Sequence, residues 1–479
     1  MAFSRLKRAW KSMLKSRYEA AEPSPLLDRH FSWADNSSIN QLLTPSTRAL
    51  LRARSRYEIS NNSYACGMAV TYANDLIGKG PRAQVRLMAP FRDNEVFVRA
   101  AATLERSWHG WAREVSLHRK KRTTRESEFS DGEGFEAHIT NPGLKHPVKM
   151  DIWNIEADRV AGAYDEDPND FGDGISYDAY GNPVSYRVLK EHPGEYTVVQ
   201  DADILPAADV IHMYKRRRPG QLRGLPEMTP ALSLFAMLRR YTNATVTAAE
   251  VAADLALVLK TNTPLDEGPA QLKGKQFTSF KLNPGSATVL PDGWDLGGIK
   301  PEQPVNTYAQ FKEAILSEIG RCMLIPFNVA AGNSSGYNFA SGRLDHLAWY
   351  RNLDVERCDW ENESYNVTFD RWFDEALLVG EVPPVLRDRS RWEVVWYWPA
   401  TQDIDPLKTA KADLADLAAN ATTYSEIYGK KGQPWQDAFA QIAEEKRLME
   451  SLGITQTDVM ASLAQNIMQQ PEDGYGQTG

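Results

Sequence analysis

Ser334 sits in Gly332-Asn-Ser334-Ser-Gly336, a formal match to GxSxG, the elbow that lifts a nucleophilic serine above a hydrolase sheet. That elbow needs a core strand before the serine and a helix directly after it. Here Pro326 interrupts the preceding Ile325-Pro-Phe-Asn-Val, and the next helical pattern opens several residues later. A Gly/Ser loop between two helices is the expected structure; a serine hydrolase using Ser334 is the alternative. Gly268-Pro-Ala-Gln-Leu-Lys-Gly274-Lys275 resembles a phosphate loop, but it holds five residues between its glycines where about four are needed. Gln276 also stands where the magnesium-binding hydroxyl belongs. Asp165-Glu-Asp-Pro-Asn-Asp-Phe-Gly has the charge of a calcium loop, yet Asp170 falls on the obligatory glycine and Ser176 on the bidentate glutamate. The eight histidines are scattered singly and no HExxH occurs, so no helix offers paired imidazoles to a metal. No catalytic residue, cofactor or metal site is expected, and no nucleotide motif is present.

Three cationic segments remain. Arg119-Lys-Lys-Arg with Arg125 abuts Glu126 and Glu128 and reads as a solvated helix end or loop. Lys215-Arg216-Arg217-Arg218, followed by Arg223, joins a strand pattern to the longest helical one. It suits either a patch paired with acids across a subunit interface or one that meets phosphate. The N-terminus carries Arg5, Lys7, Arg8, Lys11, Lys15 and Arg17 before its first acid, Glu19. It lacks the apolar core of a secretory signal and reads as a solvated basic arm, or as one that touches nucleic acid or an assembly partner.

The framework that must position these residues is large. The 479 residues are 42% hydrophobic and 25% charged, a globular composition with room for roughly three domains. A net charge of -8 excludes a chain whose whole surface neutralises phosphates. No stretch approaches the roughly 18 apolar residues of a membrane span. Cys66, Cys322 and Cys358 form no CxxC pair, which fits a reducing compartment. Thirteen Trp and nineteen Tyr favour extensive packed contacts.

Helical periodicity is expected from Pro45, with Thr44 as N-cap, then over Ser63–Leu76 and Val96–His118. Residues 135–215 switch to short β-branched and aromatic runs separated by Gly and Pro turns, the pattern of an antiparallel sheet. Trp392 to Trp398 alternates as a further strand of the same β-rich body. Pro226–Lys260 is the longest helical pattern, about 45 to 50 Å if unbroken. Thr307–Leu324, a long helix from about Ser341 to Leu378, and two tail helices, Pro406–Asn420 and Pro434–Leu452, follow. The fold class is α+β, predominantly helical.

Ala207-Ala-Asp-Val-Ile-His-Met-Tyr-Lys-Arg-Arg-Arg-Pro-Gly-Gln-Leu-Arg-Gly-Leu-Pro resembles the strand-turn of lambda-type bacteriophage portal proteins. Further agreements lie in order along residues 45–455: Leu50-Leu-Arg-Ala-Arg-Ser-Arg, Asn61-Asn-Ser-Tyr-Ala, Asn283-Pro-Gly, Leu290-Pro-Asp-Gly and Ile325-Pro-Phe. Tyr337-Asn-Phe-Ala-Ser-Gly-Arg is similar to the family's YSSAR element, with Phe339 and Gly342 as departures, and Asp405-Pro-Leu-Lys with Gly432-Gln-Pro-Trp to its C-terminal helices.

The resemblance implies a ring-forming portal fold with wing, stem, clip and crown regions. It implies a homo-oligomer, a dodecamer, at one capsid vertex of the virion, assembled in the bacterial host cytoplasm, through which double-stranded DNA enters and leaves. The terminase large subunit, whose ATPase would drive translocation, the major capsid protein and head–tail adaptor proteins are the implied partners, with no membrane. Carried onto this chain, residues 1–44 are an extended basic arm, 45–225 the wing and 226–260 a stem helix. The clip is 261–305, the second stem helix 306–325, the tunnel loop 326–342, and the long tunnel helix with the return strand 343–400. Crown helices are 401–455 and a flexible tail 456–479. Asn333, Ser334, Ser335, Tyr337 and Asn338 would then face DNA.

Overall fold

The computed structural model describes residues 29–32, 34–162, 173–195, 201–254, 258–261, 294–297, 307–399, 406–431 and 435–452. The Asp165 and Gly268 loops, the start of the basic arm, most of the expected clip and the expected tail lie outside the described residues.

The chain opens with α1 (Ile39–Leu42), α2 (Pro45–Asn61) and α3 (Ser63–Leu76). Thr44 caps α2 through Thr47 N, with proline at the first helical position, and Asn62 caps α3 through Tyr64 N. Next come β1 (Arg82–Leu87), α4 (Glu95–Glu114) and α5 (Leu117–Asp131). The single helix expected over Val96–His118 is two, because Ser116 takes a left-handed φ of 55° and turns the chain between them. Six strands follow: β2 (Glu133–Thr140), β3 (Met150–Ile155), β4 (Ile175–Tyr177), β5 (Pro183–Leu189), β6 (Ala202–Pro206) and β7 (Val210–Tyr214). They form two antiparallel three-stranded sheets, ordered β3-β2-β7 and β4-β5-β6.

The longest helical pattern resolves into α6 (Leu232–Asp254), about 34 Å long, and then β8 (Val258–Thr261). β8 pairs antiparallel with β9 (Trp294–Gly297). α7 (Thr307–Cys322), α8 (Phe327–Ala331), α9 (Phe339–Trp360) and α10 (Asn366–Leu378) complete the central helices, a π-turn over Glu361–Tyr365 joining the last two. β10 (Trp392–Tyr397) precedes α11 (Pro406–Ala418), α12 (Tyr424–Lys430) and α13 (Trp435–Ser451). β10 does not join the sheets of residues 133–214. It pairs with β1, from Arg82 opposite Tyr397 to Leu87 opposite Trp392. The reason is apolar. Trp392 and Trp396 turn into a cluster with Trp108 on α4 and Phe369 and Trp372 on α10, ring centroids 4.9 to 6.2 Å apart.

Charged residues hold the centre. α5 packs between α3 and β2 with Lys121 and Arg125 fully buried, so the expected solvated basic run is mostly internal. Lys121 Nζ donates to Glu136 (2.5 Å), to Ser364 Oγ (2.7 Å) in the π-turn and to Thr368 Oγ1 (2.9 Å) on α10. Lys120 pairs with Asp151, and only Arg119 of that run is exposed. α2 likewise turns a basic face inward. Arg48, Arg52 and Arg56, four residues apart, reach Asp173, Asp158 and Asp131. Glu133 receives Arg223 in a bidentate pair (2.9 and 2.7 Å) and Gly224 N at 3.0 Å.

Helix ends are as tightly specified. α7 closes in a Schellman turn: Leu324 is left-handed, and Ile325 N donates to Gly320 O at 2.9 Å. A Cβ at residue 320 would lie 2.7 Å from Ile325 O, so only glycine fits there. α8 repeats the turn, with Gly332 at φ 62° and Asn333 N donating to Asn328 O at 3.1 Å. Asn338 Oδ1 then accepts Ser341 N at 2.8 Å and starts α9.

Burial works to raise the Glu133 carboxyl, but Arg223 and His212 overcome it and hold it well below the ordinary range. Its contribution to stability is therefore complete above about pH 4.5 and lost as the pH falls toward the folded value. Glu133→Gln is expected to cost about 3–5 kcal/mol in urea unfolding at neutral pH, since it leaves Arg223 buried without its countercharge, and to flatten the acid limb of the stability curve. Asn338→Ala is expected to cost about 1 kcal/mol in the same assay, with Asn338→Asp close to wild type.

Candidate functional site: an uncharged interhelical loop and a basic strand-turn

The segment from α7 to α9 is a chain of caps and turns. After the α8 Schellman turn, Asn333 Oδ1 accepts Ser335 N at 3.0 Å and Ser334 O accepts Tyr337 N at 3.1 Å. Asn333, Ser334, Ser335 and Asn338 are exposed, while Tyr337 is half-buried. Tyr337 lies parallel to Phe327, centroids 6.5 Å apart, and burial together with a hydrogen bond to Asp345 raises its hydroxyl pKa. Asn328 Nδ2 and His346 Nε2, 2.8 Å apart, tie α8 to α9 behind the loop. From Cys322 to Gly342 the chain contains no Asp, Glu, Lys, Arg or His. The tip offers water-like hydrogen-bonding groups and no fixed charge.

Ser334 does not stand on a nucleophile elbow. The element before it is the helix α8, not a strand, so the serine is a turn residue on the surface.

The basic strand-turn divides. Lys215 Nζ is 3.0 Å from Glu227 and also pairs with Glu356 on α9. Arg223 is 3% exposed and locked on Glu133. These two are engaged by acids of the same chain. Arg216 reaches Glu363 at 3.3 Å, Arg218 donates to Ser37 O at 3.3 Å, and Arg217 is exposed. Gln221 braces the turn from within, its Oε1 accepting Arg217 N (3.0 Å) and its Nε2 donating to Arg223 O (2.8 Å).

Sequence reading did not find the acids that receive these cations: Glu133, Glu227 and Glu356 lie 90, 12 and 141 residues from their partners. One signal was present, the four-residue spacing of Arg48, Arg52 and Arg56. Among the described residues, Glu156, Asp158 and His192 bring ligand atoms within 4.8 Å of one another. Arg56 already sits 3.1 and 2.7 Å from the two carboxylates, so this set is built around a guanidinium and does not fit a metal ion. No helix among the described residues is long and apolar enough to cross a membrane.

Comparison with known proteins gives these sites a context. A probable portal protein of Halomonas phage phiHAP-1 is 24% identical over 297 residues, 59% of this chain and 56% of that protein. The chain thus spans just over half of that relative's length. The portal protein of Escherichia phage N15 is 21% identical over 458 residues, 84% of each chain. Among solved structures, a chain in the neck of a native gene transfer agent particle with C12 symmetry has a TM-score of 0.41 at 14% identity, covering 80% of this chain and 91% of that one. A chain in the virion of a native gene transfer agent particle has a TM-score of 0.43 at 14% identity, covering 80% and 93%. The family model for phage portal proteins of the lambda family matches residues 29–357, well over half of the sequence, and the chain belongs to that family.

Proposed function

We propose that copies of this chain close into a dodecameric ring at one capsid vertex, and that double-stranded DNA passes through its bore during packaging and ejection. In this reading residues 326–342 form the tunnel loop, and α6 and α7 are the stem, with residues 261–305 between them as the clip. The β-rich part is the wing and α11 to α13 the crown. The clip would dock the terminase large subunit and later the head–tail adaptor proteins, and the wing would contact the major capsid protein.

One observation carries the reading: the uncharged stretch from Cys322 to Gly342, which exposes Asn333, Ser334, Ser335 and Asn338 at its tip. Each phosphate–cation contact adds affinity and steep salt dependence. A bore that must let DNA slide is served by groups that exchange hydrogen bonds with water and hold no counterion. The pairing of Lys215, Arg216 and Arg223 within the chain supports the same conclusion, because it removes cations that would grip the backbone. Stacking of Tyr241 on Tyr308 (5.7 Å) and Phe311 (4.4 Å) fixes α6 against α7, as a rigid stem requires.

Electron microscopy or native mass spectrometry of the purified protein is expected to show closed rings; a stable monomer or dimer at every salt and protein concentration would refute the assembly. Ser334→Lys with Ser335→Lys is expected to convert weak duplex binding by assembled rings into salt-sensitive binding. The slope of log K against log salt should steepen by about 0.9 for each phosphate engaged, and the yield of filled particles should fall. An unchanged salt slope would place the loop away from DNA.

A further inference from the structure

A cavity of about 600 Å³ opens between the end of β7, the C-terminal end of α7 and the C-terminal half of α9 with the π-turn that follows. Its charges do not balance. Five carboxylates, Glu128, Glu227, Glu356, Asp359 and Glu363, face four cations, Arg125, Lys215, Arg216 and Arg217. Arg125 lies 2.6 Å from Glu227, Lys215 is held by Glu227 and Glu356, and Arg216 by Glu363.

Glu128 shares its cation, Arg125, with Glu227 and Glu356. It is 4% exposed, it lines the cavity, and its Oε2 has no hydrogen-bond partner. The cation beside that oxygen, Arg125 Nη1, stands 3.4 Å away and lies closer, at 2.6 Å, to Glu227. A buried carboxylate in this position is stable only when neutral or beside a further cation. Trp360, Met213 and Met323 line the same space, a surface that suits the aliphatic stem of lysine or arginine and the face of its charged head.

The chain carries a source of such groups next to the opening. Residues 37–40 lie on the turn that continues the Lys215–Arg217 wall. Arg218 donates to Ser37 O, and the Asn40 side chain donates to Gly220 O (2.9 Å) and accepts Leu222 N (3.2 Å). Upstream, Arg5, Lys7, Arg8, Lys11, Lys15 and Arg17 precede the first acid. The stretch from Arg17 to Ser37 can span up to about 65 Å when extended, ample reach.

We propose that this cavity receives a lysine or arginine side chain of the chain's own N-terminal arm, whose charged head completes the electrostatic balance around Glu128. The inference does not depend on ring formation or on DNA passage.

Cys322 lines the same cavity as a free, half-buried thiol, so its alkylation reports occupancy. The test uses the full chain with Cys66→Ser and Cys358→Ser, which removes the two exposed thiols. Deleting residues 2–20, or replacing the six arm cations by glutamine, is expected to speed Cys322 alkylation about tenfold at low salt. About 1 M salt should accelerate the intact chain alone, and a synthetic peptide of residues 2–20 should restore protection to the truncated one. Asp359→Asn, exposed at the rim, should accelerate labelling in the full chain and leave the truncated chain unchanged. Equal rates for intact and truncated chains overturn the proposal, as does a difference that salt does not touch. Should Cys322 resist alkylation in both, Lys11→Cys and Arg8→Cys variants decide: a disulfide to Cys322 under diamide supports the assignment, and its absence from both overturns it.

Discussion

Arg125 and Lys121 lie at the centre of this protein, on a helix whose composition would ordinarily place it in water. Desolvating an ammonium or guanidinium costs several kcal/mol after relaxation, and only a close, well-oriented set of acids and hydroxyls offsets it. The rest of the architecture follows from supplying that set. Glu136 comes from β2, Glu227 from the lead-in to α6, Glu356 from α9, and Ser364 and Thr368 from the π-turn and α10. Each element is held at a distance set by hydrogen bonds, so the junction of sheets and central helices has one permitted geometry, where an all-apolar junction would tolerate several.

Much of the fold was legible because its periodicity is apolar. Most helices and strands begin near the predicted residues, and caps such as Thr44 and Asn62 are visible as residue types. α5 was misread because it buries a charged face, which a rule that equates charge with solvent turns inside out. β1 was missed because Arg82, Gln84 and Arg86 dilute its strand signal, and its partner lies at the far end of the chain. α12 is seven residues long and rests on a capping box at Thr423 and Glu426. The tips of the candidate loop were read correctly as small and polar, but the hydrogen bonds that order them were not, since left-handed Leu324 carries no sequence signal comparable to Gly332.

The basic strand-turn is recognisable as a motif, and its side chains divide on folding. Its cations suggest a patch that pairs with acids across a subunit interface or one that meets phosphate. Folded, Arg223 and Lys215 are inner rivets on either side of a braced turn, while Arg216, Arg217 and Arg218 stay exposed. Such a turn holds the end of a sheet in register with the start of a long helix.

The pairing of β1 with β10 also has a consequence for biogenesis. Arg86 and Glu393, neighbours across that two-stranded sheet, are 307 residues apart in the chain. At roughly 5–20 residues per second of synthesis, the first strand waits about 15 to 60 seconds for its mate. Until then Trp108 on α4 lacks Trp396, which packs against it at 5.9 Å, and part of its apolar surface stays uncovered. Closure of this late seam completes the core around α4, a built-in delay between translation and the finished fold.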